Sequence, residues 1–516
     1  MNKIFSKFVN YGFGIFFALA MALSVYFLAD WLLVEHYIGS QTAVYGVILL
    51  IALAACAGCL ALRKLGSVFE ARLGDDAKKC DRIFAIMALA LLAVQIIFAA
   101  CSHFTPINDL SYICTSAKNY ILMGADTIYE GLPSRHQEYY AVYPNNHLLF
   151  LIVLALYKIQ YALTGHITNV LPTAFNLIGL NASYILMYMC ARVIYKPSKA
   201  LLCAVRGLLF TPLMTYVMYF YTDALGMPWL TGALYLYLKW RSRRAAGEKL
   251  LSGKSAALLI SCGAVLGIAY KIKGSAVILL PAILLDLLFQ QKGAKGLLSA
   301  IKAKLAPFAA ILAVFAVVSA LIGSPWLPVV ISTTCSGGYW FSGSLACSVL
   351  KISKDELYKY SFPTIHWVMM SADGKGGYNY DDFMYTRSFE GKDEKKRADL
   401  ERLNEKIHEQ GASGMLNHCV LKLTYTWKLG TYMINYYMAD SKLLTSKAFL
   451  VICTALHFTL MLSMVSTYLS RLKSNDDVLQ GDFILKVTLM GLTVFLMLWE
   501  ARCRYLVSFF VLFALL

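Results

Sequence analysis

Apolar runs long enough to cross a bilayer recur along most of this chain, and nothing else in the sequence constrains the fold as strongly. A hydrocarbon layer about 30 Å thick takes roughly 20 apolar residues of helix. Within it, backbone N–H and C=O groups must be satisfied inside the protein. Of the 516 residues, 59% are hydrophobic and only 15% charged, with mean hydropathy +0.60, far from a soluble average. The chain reads as an all-α polytopic membrane protein. Its first run, "MNKIFSKFVNYGFGIFFALAMALSVYFLADWLLV", is too long for a signal peptide and a second follows closely, so it reads as a retained span.

The formal charge of +17 would suit a nucleic acid, but its distribution argues against one. Basic residues gather in short loops: Arg63/Lys64 to Arg82, Lys196/Lys199, Arg241 to Lys254, Lys292 to Lys304, and Arg471/Lys473. That is the positive-inside pattern. Placing all five loops inside predicts about twelve spans, near 12–34, 43–62, 82–103, 168–195, 200–220, 224–240, 255–270, 275–291, 305–323, 448–470, 482–499 and a short 504–516. The apolar piece "LLFLIVLAL" (148–156) breaks this topology if it crosses, because Lys196 and Arg241 would then lie outside. It is therefore expected to lie along the membrane within an external loop, 104–167.

A second large external loop, 324–447, is polar and rich in Tyr. Within it "DEKKRADLERLNEKIHEQ" (393–410) reads as a solvated helix of opposite charges, and 414–437 as an amphipathic stretch returning to the membrane surface. The chain thus divides into two leading spans with an internal loop (1–81), a membrane core including the first external loop (82–323), the large external loop (324–447) and the closing spans (448–516). Most of the 13 Cys sit in apolar runs, where a thiol behaves as a small hydrophobe. No Cys/His spacing suggests zinc. Cys335 and Cys347 share a loop, where free thiols or a disulfide both fit.

The remaining polar residues near span ends are few. Asp109, in "TPINDLSYI", is the first acid after a span. It reads either as a helix cap beside Asn108 or as a general base sheltered at the membrane boundary. Asp223, in "YFYTDALGMPW", falls in a tight external turn, again as a cap or as the second of two carboxylates. Lys271 and Lys273, in "GIAYKIKGSAV", run against the charge bias. Snorkelling accounts for one lysine more easily than for two, and a pair of cations would suit an anionic headgroup. Glu500, Arg502 and Arg504, in "WEARCRYLV", stand between the last two spans. Ionisable groups in such places are costly. The two arginines could bracket a phosphate, or Glu500 and Arg504 could form an i, i+4 anchoring pair. In the large loop, "DGKGG" lacks phosphate-loop spacing and reads as turns. His366, beside Trp367, is either a site residue or merely solvated. External acids with external cations suit a reaction in which a base activates a hydroxyl and cations hold a leaving phosphate, which describes glycosyl transfer from a lipid-phosphate sugar.

At these positions the sequence resembles the membrane glycosyltransferases of the GT-C superfamily, in the branch of protein O-mannosyltransferases and lipid A aminoarabinose transferases. "PINDLSYICTSAKNYILMG" is similar to the first external-loop motif, with Asp109 as its acid. "YVMYFYTDALGMPW" resembles the second loop, with Asp223. "LGIAYKIKGSAVILLPA" resembles the span that ends in Lys-Gly, at Lys273. "WEARCRYLVSFF" resembles the late Arg-Tyr segment, at Arg502, Arg504 and Tyr505. "YPNNHLLF" and "HWVMMSADGKGGYN" look like a Gram-positive bacterial subgroup. The resemblance implies a GT-C-type bundle whose external loops carry juxtamembrane helices, in a bacterial plasma membrane, with the active site facing outside.

It further implies a polyprenyl-phosphate-sugar donor and a cell-envelope acceptor (glycan, glycolipid or protein). Asp109 would act as base in an inverting transfer, with Asp223 holding acceptor or base. Lys273, Arg502 and Arg504, with Lys271, would hold the phosphate. Tyr143, His147, His366, Tyr505 and Glu500 would line the pocket. The family often shows two adjacent acids in the first loop. Here Asp109 stands alone between Asn108 and Leu110, so a divalent cation remains a possible cofactor without a ligand set. Two extra spans precede the core, and no soluble C-terminal domain is expected. A lipid-linked sugar flippase or transporter is the competing reading, although such proteins place polar groups near the midplane, often in inverted repeats. A polysaccharide polymerase or ligase is the third.

Overall fold

A computed structural model describes residues 2–34, 40–125, 128–132, 136–249, 252–290, 297–323, 347, 349–472 and 482–516. Among them every regular element is helical. The first half runs α1 (Asn2–Val34), α2 (Gln41–Leu73), α3 (Ala77–Cys101), α4 (Asn108–Leu122), α5 (His136–Val142), α6 (His147–Thr164), α7 (Val170–Ile194) and α8 (Pro197–Leu209). Then come α9 (Met227–Ala245), α10 (Gly253–Ile272), α11 (Leu279–Gln290) and α12 (Leu297–Gly323). The polar segment that follows holds α13 (Lys354–Tyr360), α14 (Thr364–Met370), α15 (Tyr380–Arg387) and α16 (Lys392–Trp427). The chain closes with α17 (Lys447–Leu472), α18 (Phe483–Leu498) and α19 (Phe510–Leu515).

Eight helices among the described residues are long and apolar enough to cross a membrane, and three shorter apolar helices accompany them. The expected count of twelve differs in particular places. The stretch 200–220 is not one span. After Leu209 the chain breaks, makes a single turn at Pro212–Thr215 and runs on irregularly, because Pro212 has no N–H to extend the helix. The stretch 224–240 becomes α9, whose last turns carry Lys239, Arg241, Arg243 and Arg244, so its apolar part is short. The stretch 148–156 is the middle of an apolar segment, Pro144–Thr164, that is long enough to cross.

Contacts give the bundle two distinct ends. Asp81 at the start of α3 pairs with Arg192 at the end of α7, and Phe84 stacks on Tyr188 with ring centroids 3.9 Å apart. Further along, Asn181 donates to Gln95 at 2.6 Å. The two helices are therefore antiparallel, and the start of α7 lies at the same end as Asp109. That places α6. Its final turns bond the start of α7, Tyr157 donating to Asn169 at 2.5 Å and Gln160 to Thr168 at 2.5 Å. Its first residues adjoin Asn146 and Tyr221. Both ends of α6 are thus tied at the Asp109 end, although its length and composition would suit a crossing. Elsewhere α10 packs closely on α12 through small residues. A Cβ on Gly263 would come within 2.6 Å of the Ile311 carbonyl oxygen, and one on Gly267 within 3.1 Å of Val318.

In the polar segment, α16 is two helices joined at Gly411, whose backbone (φ 60, ψ −175) is not helical. The charged stretch 393–410 forms the first of them. Cys335 lies outside the described residues, and with it the pairing of Cys335 with Cys347.

Candidate functional site

Asp109 lies in the first turn of α4, half-buried. It does not cap the helix. The N-cap position is Ile107, with no side-chain bond, and Asn108 enters the helix at φ 50. The carboxylate instead receives two phenols. Tyr139 from α5 donates to Oδ1 at 3.0 Å, and Tyr221 donates to Oδ2 at 3.0 Å. Asn146, 0% exposed, joins the two tyrosines. Its amide donates to the Tyr139 hydroxyl at 2.8 Å, and its Oδ1 lies 3.2 Å from the Tyr221 hydroxyl. Tyr139 thus links Asp109 to Asn146 by hydrogen bonds, and the single proton of the Tyr221 hydroxyl is shared between Asp109 Oδ2 and Asn146 Oδ1. Tyr112 stacks on Tyr139 at 4.4 Å. Each carboxylate oxygen can accept a second bond, so the group is oriented without being used up.

Asp223 is 0% exposed and lies in the single turn Thr222–Leu225, again without capping it. Lys273 Nζ is 2.5 Å from its Oδ1 and Arg504 Nη1 is 3.7 Å from its Oδ2. Local backbone explains the convergence. The α10 helix ends at Ile272, so Lys273 is extended and turns inward. After α18 the chain runs extended through Arg502 and then tightens into a 3-10 turn, Cys503–Phe509. Ser508 in that turn donates to the Asp223 carbonyl at 2.7 Å. The Arg504 guanidinium lies among the rings of Tyr221, Tyr437 and Tyr505, 5.1 to 5.3 Å from their centroids. Its Nε and Nη1 are buried without a hydrogen-bond partner. Lys273 Nζ sits 4.1 Å over the Tyr505 ring. Tyr221 joins the two clusters, with its hydroxyl on Asp109 and its ring against Arg504.

Glu500 pairs with Arg502, Nε to Oε1 at 2.6 Å, and accepts from the Tyr505 hydroxyl at 2.5 Å. The alternative Glu500–Arg504 anchoring pair does not form, because 499–502 is extended rather than helical and Arg504 is turned to Asp223. Burial pushes the Glu500 carboxyl up, but Arg502, the Tyr505 hydroxyl and Arg504 outweigh it and hold the group below the usual range. Three cations, Lys273, Arg502 and Arg504, therefore face two carboxylates, Asp223 and Glu500, leaving one positive charge in a buried cluster.

The other expected site residues are placed as follows. Lys271, in the last turn of α10, lies 5.7 Å from the Tyr270 ring and has no carboxylate partner among the described residues. Tyr143 packs 5.1 Å from Tyr139 and 5.6 Å from Trp367, on the Asp109 side. His147 bonds the Tyr140 carbonyl through Nε2 at 2.8 Å, which ties down the start of α6. His366 is neither solvated nor brought to the acids. It is buried in the polar segment, with Nδ1 2.7 Å from Thr386 Oγ1. Burial, with Lys406 and Lys395 nearby, pushes its imidazole down to about 3. Neighbouring helix positions point about 100° apart. Its neighbour Trp367 accordingly faces Tyr143 and, at 6.4 Å, Trp499. Among the described residues no group of three or more His, Cys, Asp or Glu gathers at a point, and the Asp223 carboxylate is already matched by Lys273. Among the described residues, none beside Asp109 or Asp223 completes a divalent-cation ligand set.

Sequence reasoning missed Tyr139, Asn146, Tyr221 and Tyr437. Two had a signal. Tyr221 stands two residues before Asp223, and Asn146 lies in "YPNNHLLF". It also left the turn "DGKGG" without a role. That turn joins the polar segment to the cation cluster, since Ala501 N–H donates to the Gly376 carbonyl at 2.8 Å and Ser371 Oγ to the Leu498 carbonyl at 3.2 Å.

The helices and apolar segments define an integral membrane protein. Residues 1–516 match the model of a family described as conserved hypothetical integral membrane protein, and the chain belongs to that family. No curated protein matches it. Among solved structures it is similar to the crystal structure of the Archaeoglobus fulgidus oligosaccharyltransferase tethered to an acceptor peptide containing the NVT sequon. Identity is 14% and the TM-score 0.36, over 84% of this chain and 55% of that one. The chain thus spans about half the length of that enzyme, and at this score the likeness carries no argument about activity.

Proposed function

We propose that this protein is a membrane glycosyltransferase. It moves a sugar from a polyprenyl-phosphate donor to a hydroxyl of a cell-envelope acceptor on the outer face of a bacterial plasma membrane. The observation that carries the reading is the pairing of an oriented carboxylate with a buried cation cluster in surplus. Asp109 presents free lone pairs, and across the Tyr221 ring lies Arg504 with two unsatisfied N–H groups. Asp109 takes the proton of the acceptor hydroxyl. That oxygen forms the new bond to the anomeric carbon from the face opposite the phosphate. The carbon–oxygen bond to phosphate breaks with its electron pair, inverting the centre. Arg504 and Lys273 receive the phosphate charge, a kind of stabilisation worth about 3 kcal/mol per lost donor in comparable sites. Asp223 holds the two cations in place, Glu500 holds Arg502, and the Tyr139 and Tyr221 hydroxyls orient the base. Tyr143 and Trp367 line the entry.

The test uses purified protein in liposomes with a panel of radiolabelled polyprenyl-phosphate sugars and an envelope extract as acceptor. Wild type transfers label, and Asp109→Asn stays folded with transfer reduced roughly a hundredfold or more. Near-normal turnover by Asp109→Asn removes the base. Saturable movement of label across the bilayer by wild type without covalent transfer replaces the reading with transport.

A further inference from the structure

A second cationic site lies at the opposite end of the bundle. Helices α2 and α8 run antiparallel in a definite register. Ser198 donates to Glu70 Oε2 at 2.7 Å. One turn on, the Leu202 side chain lies 3.0 Å from where a Cβ on Gly66 would stand. A further turn brings Arg206 level with Arg63. Both side chains turn to consecutive residues of α17. Arg63 donates through Nε and Nη2 to Ser466 Oγ at 3.1 and 2.7 Å, and Arg206 Nη2 to Thr467 Oγ1 at 3.4 Å. Neither arginine forms an ion pair with a carboxylate among the described residues. Arg206 is 7% exposed, and its Nε is buried without a hydrogen-bond partner.

Two guanidinium groups at one level, one of them buried and incompletely bonded, are unfavourable unless an anion joins them. Hydroxyls orient such groups but do not neutralise them. The depth also matters. Arg63 is the first charged residue after the apolar run of α2, and the leucines before it, Leu53 and Leu60, are exposed. The site therefore sits where a hydrocarbon layer gives way to headgroups, at the end that carries the basic loops. We propose that Arg63 and Arg206, with Ser466 and Thr467, bind a phosphate anion between α2, α8 and α17, supplied by the headgroup of an anionic phospholipid whose chains lie along the exposed α2 leucines. Forked guanidinium donors suit phosphate oxygens, and anionic lipids gather beside basic juxtamembrane residues.

Thermal unfolding of the full chain in a neutral detergent tests this independently of any transferase activity. Wild type, Arg63→Gln, Arg206→Gln and the double variant are titrated with phosphatidylglycerol, phosphatidylcholine or inorganic phosphate. Phosphatidylglycerol raises the wild-type midpoint saturably, and phosphatidylcholine, whose choline cancels the charge, does not. Each single variant needs roughly tenfold more lipid, the effect of one charge-assisted hydrogen bond, and the double variant loses the shift. Arg63 is exposed, so Arg63→Gln reports even if Arg206→Gln folds poorly. If inorganic phosphate gives the shift and needs the same arginines, the anion site stands with free phosphate as its source. An equal phosphatidylglycerol shift in wild type and the double variant, or no shift from either anion, overturns it.

Discussion

Replacing Asp223 by Asn separates the holding of cations from catalysis. Asp223 is fully buried, with Lys273 at 2.5 Å and Arg504 at 3.7 Å. Asparagine keeps the shape and removes the charge, so two buried cations lose their common partner. Breaking one partner out of a buried pair costs about 3–5 kcal/mol. The Lys273 side chain keeps 13% exposure, so some of its charge is relieved by water, and the expected loss is about 3 kcal/mol. Removing the orphaned lysine as well makes the prediction sharper. Asp223→Asn with Lys273→Met is expected to be more stable than Asp223→Asn alone, because the substitutions share one interaction and are not additive. Asp109→Asn, at a half-buried group held by two neutral phenols, leaves the unfolding midpoint nearly unchanged while transfer falls. The assay is thermal unfolding of the four proteins in one detergent, alongside donor-dependent transfer. A double variant no more stable than Asp223→Asn alone, or an unaltered midpoint for Asp223→Asn, would refute the buried-charge reasoning.

Two further predictions concern the polar segment that contains α13 to α16. Asp399 is buried, and its Oδ1 accepts from Thr386 at 2.5 Å while Oδ2 has no partner. Burial pushes its carboxyl up to about 6 from 3.8, with Asp382 adding to the rise and Thr386, Lys395 and Arg402 opposing it. The folded form then holds more protons than the unfolded form between those values, so stability falls as pH rises through that window. Hydrogen exchange across 380–410 at pH 4.5 and 7.5 is expected to show faster opening at the higher pH in wild type and little difference in Asp399→Asn. Gly376 has φ 68, and a Cβ there would lie 2.6 Å from carbons of Lys422. Gly376→Ala is therefore expected to destabilise by more than the roughly 1 kcal/mol set by backbone strain alone. Gly374→Ala, with φ 55 and open space, shows only the strain, and equal unfolding midpoints for the two variants would remove the contact with Lys422.

Much of this protein is local in origin and therefore readable in order along the chain. Apolar run length and the clustering of Lys and Arg in short loops are properties of neighbouring residues, and they determined that the chain is helical and lies in a membrane. Lone acids and bases beside apolar runs singled out Asp109, Asp223, Lys273, Arg502 and Arg504, because a charge is conspicuous where charges are costly. Helix breaks were harder to read. Pro212 divides a stretch whose hydropathy alone looks like one span, and α6, long and apolar enough to cross, has bonds near both ends to groups at the Asp109 end.

Tertiary structure alone decided which groups meet. Asp109 receives Tyr221 from 112 positions away, and Ser508 reaches the Asp223 carbonyl across 285. No periodicity encodes such partners, and a tyrosine is too common in this chain, with 33 copies, to announce its role. The same limit misled the reading of His366, which one helix position turns inward while Trp367 turns toward the site. The sequence by itself determined a membrane-embedded helical chain with scarce charges at its span ends. Only packing decided that Arg504 goes to Asp223 rather than Glu500, because a hydrogen bond depends on where side chains end up in space, and an apolar run depends only on its neighbours.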